Sequence, residues 1–272
     1  MINVSKVFVG VDGCKGVNNS KTSWPAIALT EDGNFEAECF NNIADIWNKY
    51  RNASKILIDI PIGLRDKGDE GCKKERKCDK EARAKLKPPR ASSVFPAPCR
   101  TAIYKEADYE KTSKINKQVM GKGLTKQTFA IIPKIHDVDD FLRNNKSARS
   151  RIRETHPEIC FWGLNGGQAM KYPKKKHKVH DRKGVEERKN LLESVCKSIY
   201  PKNYRKIEEL LKECNKPEYK SKGIAPDDIL DALAAAVTAM LGEKNELEKL
   251  PQKLEKDSQG LPIQMLYYSY RS

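Results

Sequence analysis

Residues 7–13, Val7-Phe8-Val9-Gly10-Val11-Asp12-Gly13, contain a nearly unbroken apolar run, Val7–Val11, that is followed directly by an aspartate. A run of this kind is typical of a strand that is buried on both faces. Such strands lie in the middle of a sheet that helices cover on both sides. We therefore predict an α/β protein in which Asp12 stands at the carboxyl end of a central strand.

Further elements follow this strand in a regular order. A second apolar run spans Trp24–Leu29, and apolar and polar residues then alternate over residues 35–39, as in a half-exposed strand. Apolar residues recur at helical spacing from 43 to 50, before the buried strand Ile56–Ile60. The predicted order is β-β-β-α-β, and its strand–helix–strand step predicts a parallel pair of strands.

Composition limits the classes of protein to which the chain can belong. Of its 272 residues, 38% are hydrophobic and 33% are charged, which favours a globular protein over a disordered one. No apolar run approaches the roughly 20 residues that cross a bilayer, and the start of the chain lacks the pattern of a secretion signal. The eight cysteines are irregularly spaced, so we expect reduced thiols and a cytoplasmic protein.

Positive charge dominates the chain. It has 52 Lys and Arg against 37 Asp and Glu, which gives a formal net charge of +15. Such a surface attracts polyanions, of which nucleic acid, RNA or DNA, is the most common. A lysine-rich surface that serves solubility has the same composition. The prediction of a nucleic-acid partner therefore depends on a reactive site in the same chain.

The regular pattern is interrupted twice. Residues 62–150 are rich in Lys, Arg and Pro and predict an insertion with short helices after the fourth strand. Residues 165–222 contain a basic stretch and two amphipathic helices, and predict a second excursion. Between them, Arg151–His156 predicts a fifth strand, and Asp227–Leu241 predicts the strongest helix. We predict that all 272 residues form a single domain.

Two aspartates lie at the carboxyl ends of buried strands of the predicted sheet. Asp12 ends the first strand, and Asp59 lies at the end of the fourth. Because the carboxyl ends of neighbouring strands meet at one edge of an open sheet, we expect these side chains to lie close together. An aspartate that begins a turn or caps a helix would occupy the same position, so both interpretations stay open at this point.

The late helix adds a second group of acids. Asp228 and Asp231 are neighbours on one helix face, and so are Asp227 and Asp231. Acids in a first turn complement the helix dipole, which accounts for Asp227 and Asp228. Asp231 lies one turn deeper among Leu and Ala, where adjacent carboxylates normally need a cation or a proton. The pattern indicates a site for a hard divalent cation, Mg²⁺ or Mn²⁺.

Short motifs with a fixed order along the chain accompany these acids. They are Val9–Gly16, Ile58–Leu64, Ser92–Pro98, Gly121–Leu124, Pro133–Ile135, His156–Glu158, Leu164–Gly167 and Asp227–Ala235. The order of strands and acids is similar to the ribonuclease H-like fold, and the whole chain resembles the domain of unknown function 429 family of predicted nucleases. The resemblance implies a ribonuclease H-like mixed sheet with a β-β-β-α-β-α-β-α core, flanked by helices and with a large insertion after the fourth strand.

Together with the carboxylates, this resemblance implies a metal-dependent nuclease. Two divalent ions about 4 Å apart can act on one phosphodiester, one activating the attacking water and the other stabilising the leaving 3′ oxygen. We expect Asp12 to bridge both ions, Asp59 to hold one, and Asp228 or Asp231 to hold the other. Glu158, just after the predicted fifth strand, is a further candidate catalytic residue, although an acid at this point also suits a helix N-terminus.

Other residues are candidates for contacts with the substrate. Arg90, Ser92 and Ser93 are predicted to bind nucleic-acid phosphate, although a solvated loop has the same composition. The run Lys174-Lys175-Lys176 is predicted to bind the nucleic-acid backbone, although a charge run without interleaved aromatics also suits a solvated segment. His156 could orient a ligand or move a proton, but a structural histidine is the more common case.

Two other functions fit the sequence. An ATP-dependent phosphotransferase or ATPase of the actin and sugar-kinase type has a related core, and Asp12–Gly16 resembles its first phosphate loop. Such proteins normally duplicate the core, and the sequence offers no convincing second loop. A non-catalytic nucleic-acid-binding or scaffold protein of the same fold would keep the carboxylates for its fold or for a metal. ATP turnover distinguishes the first alternative from a nuclease, and a carboxylate substitution without effect on activity would indicate the second.

Overall fold

The protein has one central sheet with helices packed on both of its faces, as a computed structural model describes it. The predicted α/β class is confirmed. Five strands form this sheet in the described part of the chain, and parallel and antiparallel pairs occur together. The described residues are 5–14, 23–69, 73, 75–105, 108–176, 179–202, 206–213 and 216–270.

The strands of the central sheet are β1 (Val7–Val11), β2 (Trp24–Thr30), β3 (Phe35–Phe40), β4 (Lys55–Ile58) and β5 (Ile152–Glu154). Their order across the sheet is β3-β2-β1-β4-β5. β2 is antiparallel to both β1 and β3, whereas β4 is parallel to β1 and to β5. The predicted strand–helix–strand step runs from β3 through α1 (Ile43–Tyr50) to β4, and β4 pairs in parallel with β1 and β5 and not with β3. The carboxyl ends of β1, β4 and β5 therefore lie at one edge of the sheet.

The described helices are α1 (Ile43–Tyr50), α2 (Lys77–Arg90), α3 (Arg100–Tyr104), α4 (Tyr109–Met120), α5 (Lys126–Ala130), α6 (Ile132–Asn144), α7 (Pro157–Leu164), α8 (Arg182–Ile199), α9 (Lys206–Glu213), α10 (Pro217–Ser221) and α11 (Pro226–Asn245). The helical geometry of α2 is interrupted at Lys87 and Pro88. Across the described ranges, each helix is too short or too polar to cross a bilayer.

Alternate residues of β1 enter two different apolar cores. Phe8 packs in a core with α7, α8 and α11 on one face of the sheet. Val9 and Val11 pack on the other face, in a core with α1 and α6. Neither face of β1 is in water, which explains why the run is apolar at nearly every position.

Helices α2 to α6 lie between β4 and β5, where the sequence predicted an insertion with short helices. Buried ion pairs hold this part of the chain to its surroundings. The guanidinium of Arg100 in α3 donates to the carboxylate of Asp139 in α6 at 2.9 Å and also contacts Asp257 near the end of the chain. Both acids are buried, so these contacts fix α3 between two distant parts of the sequence.

Two small two-stranded sheets follow β5 in the described chain. They pair β6 (Lys175–Lys176) with β7 (Val179–His180), and β8 (Glu248–Lys256) with β9 (Pro262–Tyr267). β9 pairs antiparallel with β8 and does not extend the central sheet.

Candidate functional site

The carboxyl ends of β1 and β4 bring two predicted site residues together. The amide of Asp59 donates to the carbonyl oxygen of Val11 at 2.9 Å, so the two strands end side by side. The carboxyl groups of Asp12 and Asp59 lie close enough to influence each other's protonation. Gly13 permits this approach, since a Cβ there would lie 2.5 Å from the carbonyl oxygen of Asp59.

Helix α11 brings the second pair of predicted acids to the same edge. It packs on β1 at Gly10, where any Cβ would overlap the carbonyl oxygen of Ala232. Asp228 is held by the first turn of the helix, because its carboxylate accepts from the amide of Ala225 at 2.8 Å. Asp231 is one turn further along and is 6% exposed. The acids of the helix therefore start from fixed backbone positions above the end of β1.

Three side chains present close ligand atoms at this edge. The carboxylates of Asp12 and Asp228 and the sulfur of Cys14 lie within 4.8 Å of one another. Cys14 was not predicted as a site residue, and its thiol donates to the carbonyl oxygen of Ser23 at 3.3 Å. Carboxylate oxygens suit Mg²⁺ and Mn²⁺, whereas thiolates suit softer metals. The oxygen donors are therefore the atoms that fit the predicted cation.

Burial and like charge both shift the acids towards their protonated forms. Burial is the main cause for Asp12, and the charges of Asp228, Asp231 and Asp59 raise its pKa further, to well above the ordinary value. Burial also raises the pKa of Asp59, and it raises the pKa of Asp231 to about 6. A divalent cation among these side chains would favour their ionised forms and remove the repulsion.

Lys174 supplies a positive charge that the sequence did not place in this site. Its ammonium contacts the carboxylate of Asp231 and lies 3.9 Å from that of Glu158. The two partners in the first contact are 57 residues apart, so no local pattern signals it. Lys175 and Lys176, the other members of the predicted basic run, form β6, and their side chains lie outside the described part of the chain.

Glu158 lies in the first turn of α7 and is buried. One carboxylate oxygen accepts from the guanidinium of Arg188 at 2.6 Å. Burial raises the pKa of Glu158, but the charges of Lys174 and Arg188 outweigh that effect and hold it below the ordinary value. The other oxygen has no hydrogen-bond partner among the described residues. Glu158 is therefore one half of a buried ion pair and retains one oxygen for a further contact.

His156 joins the end of β5 to the loop that contains two predicted phosphate contacts. Its Nδ1 accepts from the amide of Glu158 at 3.2 Å, and its Nε2 lies 3.3 Å from the carbonyl oxygen of Ser93. Both ring nitrogens are thus engaged, as in a structural histidine. Ser93 lies beside the candidate site through this contact, whereas Ser92 is exposed and Arg90 is half-buried.

A second group of acids is neutralised within the protein. Cys78, Asp79 and Glu154 also have ligand atoms within 4.8 Å of one another. Arg76, however, donates to Asp79 at 2.6 Å and to Glu154 at 2.7 Å. All four side chains are buried. This group is a structural ion-pair network that the sequence did not predict, and it is not a candidate cation site.

Lys134 is a buried lysine near the candidate site that the sequence did not predict as functional. It is 1% exposed. Its ammonium donates to the carbonyl oxygen of Ser23 and lies 4.0 Å from the centre of the Trp24 ring. Burial lowers the pKa of Lys134 to about 8, against the charges of Cys14 and Asp12. The lysine is therefore within electrostatic range of Asp12 while remaining out of contact with solvent.

Comparison with known proteins identifies the family. A family described as "Protein of unknown function (DUF429)" matches residues 10–256, which include every acid of the candidate site. Neither the curated proteins nor the solved structures gave a match. Because the family match spans most of the chain, the protein belongs to the DUF429 family.

Proposed function

We propose that the protein is a metal-dependent nuclease with a ribonuclease H-like fold. The observation that carries this proposal is the convergence of carboxylates from Asp12, Asp59 and Asp228, contributed by the adjacent ends of β1 and β4 and by α11. The strand order β3-β2-β1-β4-β5, with its first three strands antiparallel, supports the fold. Sites at the carboxyl edge of an open sheet are common in α/β proteins.

The donor set supports Mg²⁺ or Mn²⁺ as the cation. Asp12, Asp59, Asp228 and Asp231 offer the oxygen ligands that these ions prefer. One carboxylate oxygen of the buried Asp231 has no hydrogen-bond partner among the described residues. Burial raises the pKa of Asp12, and repulsion from the neighbouring acids raises it further. Both effects indicate that the ionised acids need a nearby positive charge. A divalent cation would offset the repulsion among these carboxylates.

The proposed reaction is hydrolysis of a phosphodiester. Water adds to phosphorus, the bond from phosphorus to the 3′ oxygen breaks, and a 5′-phosphate and a 3′-hydroxyl result, with one proton of the water ending on the 3′ oxygen. When bound, Mg²⁺ or Mn²⁺ lowers the pKa of water and stabilises negative charge on the phosphate oxygens. Asp12 and Asp59 would hold the cation from the strand ends, and Asp228 or Asp231 from the helix.

The charge of the protein supports nucleic acid as the substrate. A net charge of +15 attracts a polyanion, and binding that depends on it weakens steeply with salt. The loop that carries Ser92 and Ser93 supports a phosphate contact next to the acids, because His156 ties it to the end of β5. Arg90 precedes this loop and would add a positive charge to it.

Calorimetric titration with Mn²⁺ tests the cation site. The wild-type protein should bind Mn²⁺, and Asp12→Asn should weaken the affinity by more than about tenfold because a ligand loses its negative charge. Asp140→Asn is the matched control, since Asp140 is an exposed acid on α6 and should leave the affinity unchanged. The proposal would be overturned if the wild type bound no Mn²⁺, or if the wild type and Asp12→Asn bound Mn²⁺ with the same affinity.

A further inference from the structure

The position of Lys174 bears on how many divalent cations the site takes. The sequence predicted two ions among the acids. One ammonium group already lies there, in contact with Asp231 and 3.9 Å from Glu158. A cation and a lysine ammonium satisfy the same need of a buried carboxylate, which is a nearby positive charge.

The backbone around Lys174 is fixed. The carbonyl oxygen of Lys174 accepts from the amide of Asp181 at 2.8 Å. The preceding segment lies against the start of α8 at Gly184, where any Cβ would overlap the carbonyl oxygen of Pro173. The carbonyl oxygen of Tyr172 accepts from Arg188 at 3.0 Å. These contacts hold the backbone at Lys174 in place independently of the ion pairs of its side chain.

Arg188 extends the same arrangement. Its guanidinium joins the carbonyl oxygen of Tyr172 to the carboxylate of Glu158, and its side chain is fully buried. Lys174 and Arg188 therefore place two positive charges next to Asp231 and Glu158. A divalent cation that entered between Asp231 and Glu158 would have to displace Lys174, because the ammonium occupies that position.

We propose that Lys174 takes one of the two expected cation positions, so that the protein binds a single divalent cation at Asp12, Asp59 and Asp228. This inference rests on the proposed nuclease function. The side chain of Lys174 is 20% exposed, so part of it is in contact with solvent. Lys174 then neutralises Asp231 in the free protein and attracts the phosphate in the complex, a task that a second metal ion performs in a two-metal site.

The number of Mn²⁺ ions bound per chain tests this proposal. Calorimetric titration, with free Mn²⁺ counted by electron paramagnetic resonance, should give one ion for the wild type and two for Lys174→Met. Lys174→Arg keeps a positive charge and should bind one ion. Lys171→Met is the matched control, because Lys171 is an exposed lysine of the same segment, and it should also bind one.

Each stoichiometry has a distinct meaning. Two ions bound to the wild type would overturn the inference and leave the proposed nuclease function standing. One ion bound to Lys174→Met at the wild-type affinity, in a protein with an unchanged near-ultraviolet circular dichroism spectrum, would also overturn it. No ion bound to the wild type would overturn both. If Lys174→Met does not fold, the wild type and Lys174→Arg still decide, since either one binding two ions contradicts the inference.

Discussion

Gly10 and Ala232 lie so close together that no side chain fits between them, since a Cβ on Gly10 would overlap the carbonyl oxygen of Ala232. The same Cβ would also overlap the amide nitrogen of Ala236. This contact sets the separation between β1 and α11. It therefore also sets the separation between Asp12, at the end of the strand, and Asp228, in the first turn of the helix.

Gly10→Ala should accordingly weaken both the fold and the site. We expect a loss of about 3 kcal/mol or more in the free energy of unfolding, because backbone atoms of a buried helix have to move to admit the methyl group. Urea unfolding measures this loss. Gly121→Ala is the comparison: nothing lies within 4 Å of its Cβ position, so only the strain of its φ of 75° remains, at about 1 kcal/mol. Equal losses would show that the contact at Gly10 is unimportant.

Asp12→Asn should leave the metal-free protein as stable as the wild type or slightly more stable. The substitution removes one of several repelling carboxylates and keeps the shape of the side chain. Thermal melts in chelator measure the effect. Asp79→Asn is the contrasting variant, because it weakens the buried pair with Arg76 and should lower the melting temperature clearly. A loss of several degrees for Asp12→Asn would instead indicate a structural role.

Arg76→Lys should be strongly destabilising despite keeping the charge. Arg76 bonds Asp79, Glu154 and the carbonyl oxygen of Ile62 at once, and an ammonium does not reproduce that planar geometry. We expect a loss of about 3–5 kcal/mol in the free energy of unfolding. Lys249→Met, which breaks an exposed pair with Glu246, should cause a much smaller loss, because solvent screens such a pair. Similar losses in the two variants would rule out a special role for the buried network.

The stability of the protein should depend on pH through Lys134. Burial lowers the pKa of this lysine to about 8, whereas an unfolded lysine has a pKa of about 10.4. Between these values the unfolded chain binds more protons than the folded protein does, so the free energy of unfolding rises with pH. This gain in stability is lost as pH falls through the folded pKa. Relative to Lys134→Met, the wild type should gain up to about 1.4 kcal/mol per pH unit in this window. A difference between the two proteins that stays constant from pH 7 to pH 10 would contradict this.

Periodicity predicted the central sheet and the residues at its edge. The strands β1 and β4 have apolar residues at nearly every position because both of their faces are buried, and an aspartate follows each of them. Such a strand, and the residue at its end, can be recognised from a short stretch of sequence alone. The parallel pairing then places Asp12 next to Asp59 without further information.

Contacts between distant segments could not be predicted from the sequence. Arg76 and Glu154 are 78 residues apart, and their pairing depends on how the helices between β4 and β5 fold. Lys174 belongs to a basic run whose composition is that of a solvated segment, yet its ammonium lies among the acids. Strand β8 was also missed, because Glu and Lys dominate its sequence and only one stretch of it is buried.

Product analysis on a panel of labelled nucleic acids is the decisive measurement. The panel contains single-stranded and double-stranded RNA and DNA, an RNA–DNA hybrid and a branched junction, each with Mg²⁺ or Mn²⁺ and with chelator. We expect metal-dependent cleavage that leaves 5′-phosphate and 3′-hydroxyl ends, is abolished in Asp12→Asn and is retained in Asp140→Asn. Cleavage that survives in Asp12→Asn, or no cleavage of any substrate together with clear ATP turnover, would contradict the assignment of a nuclease.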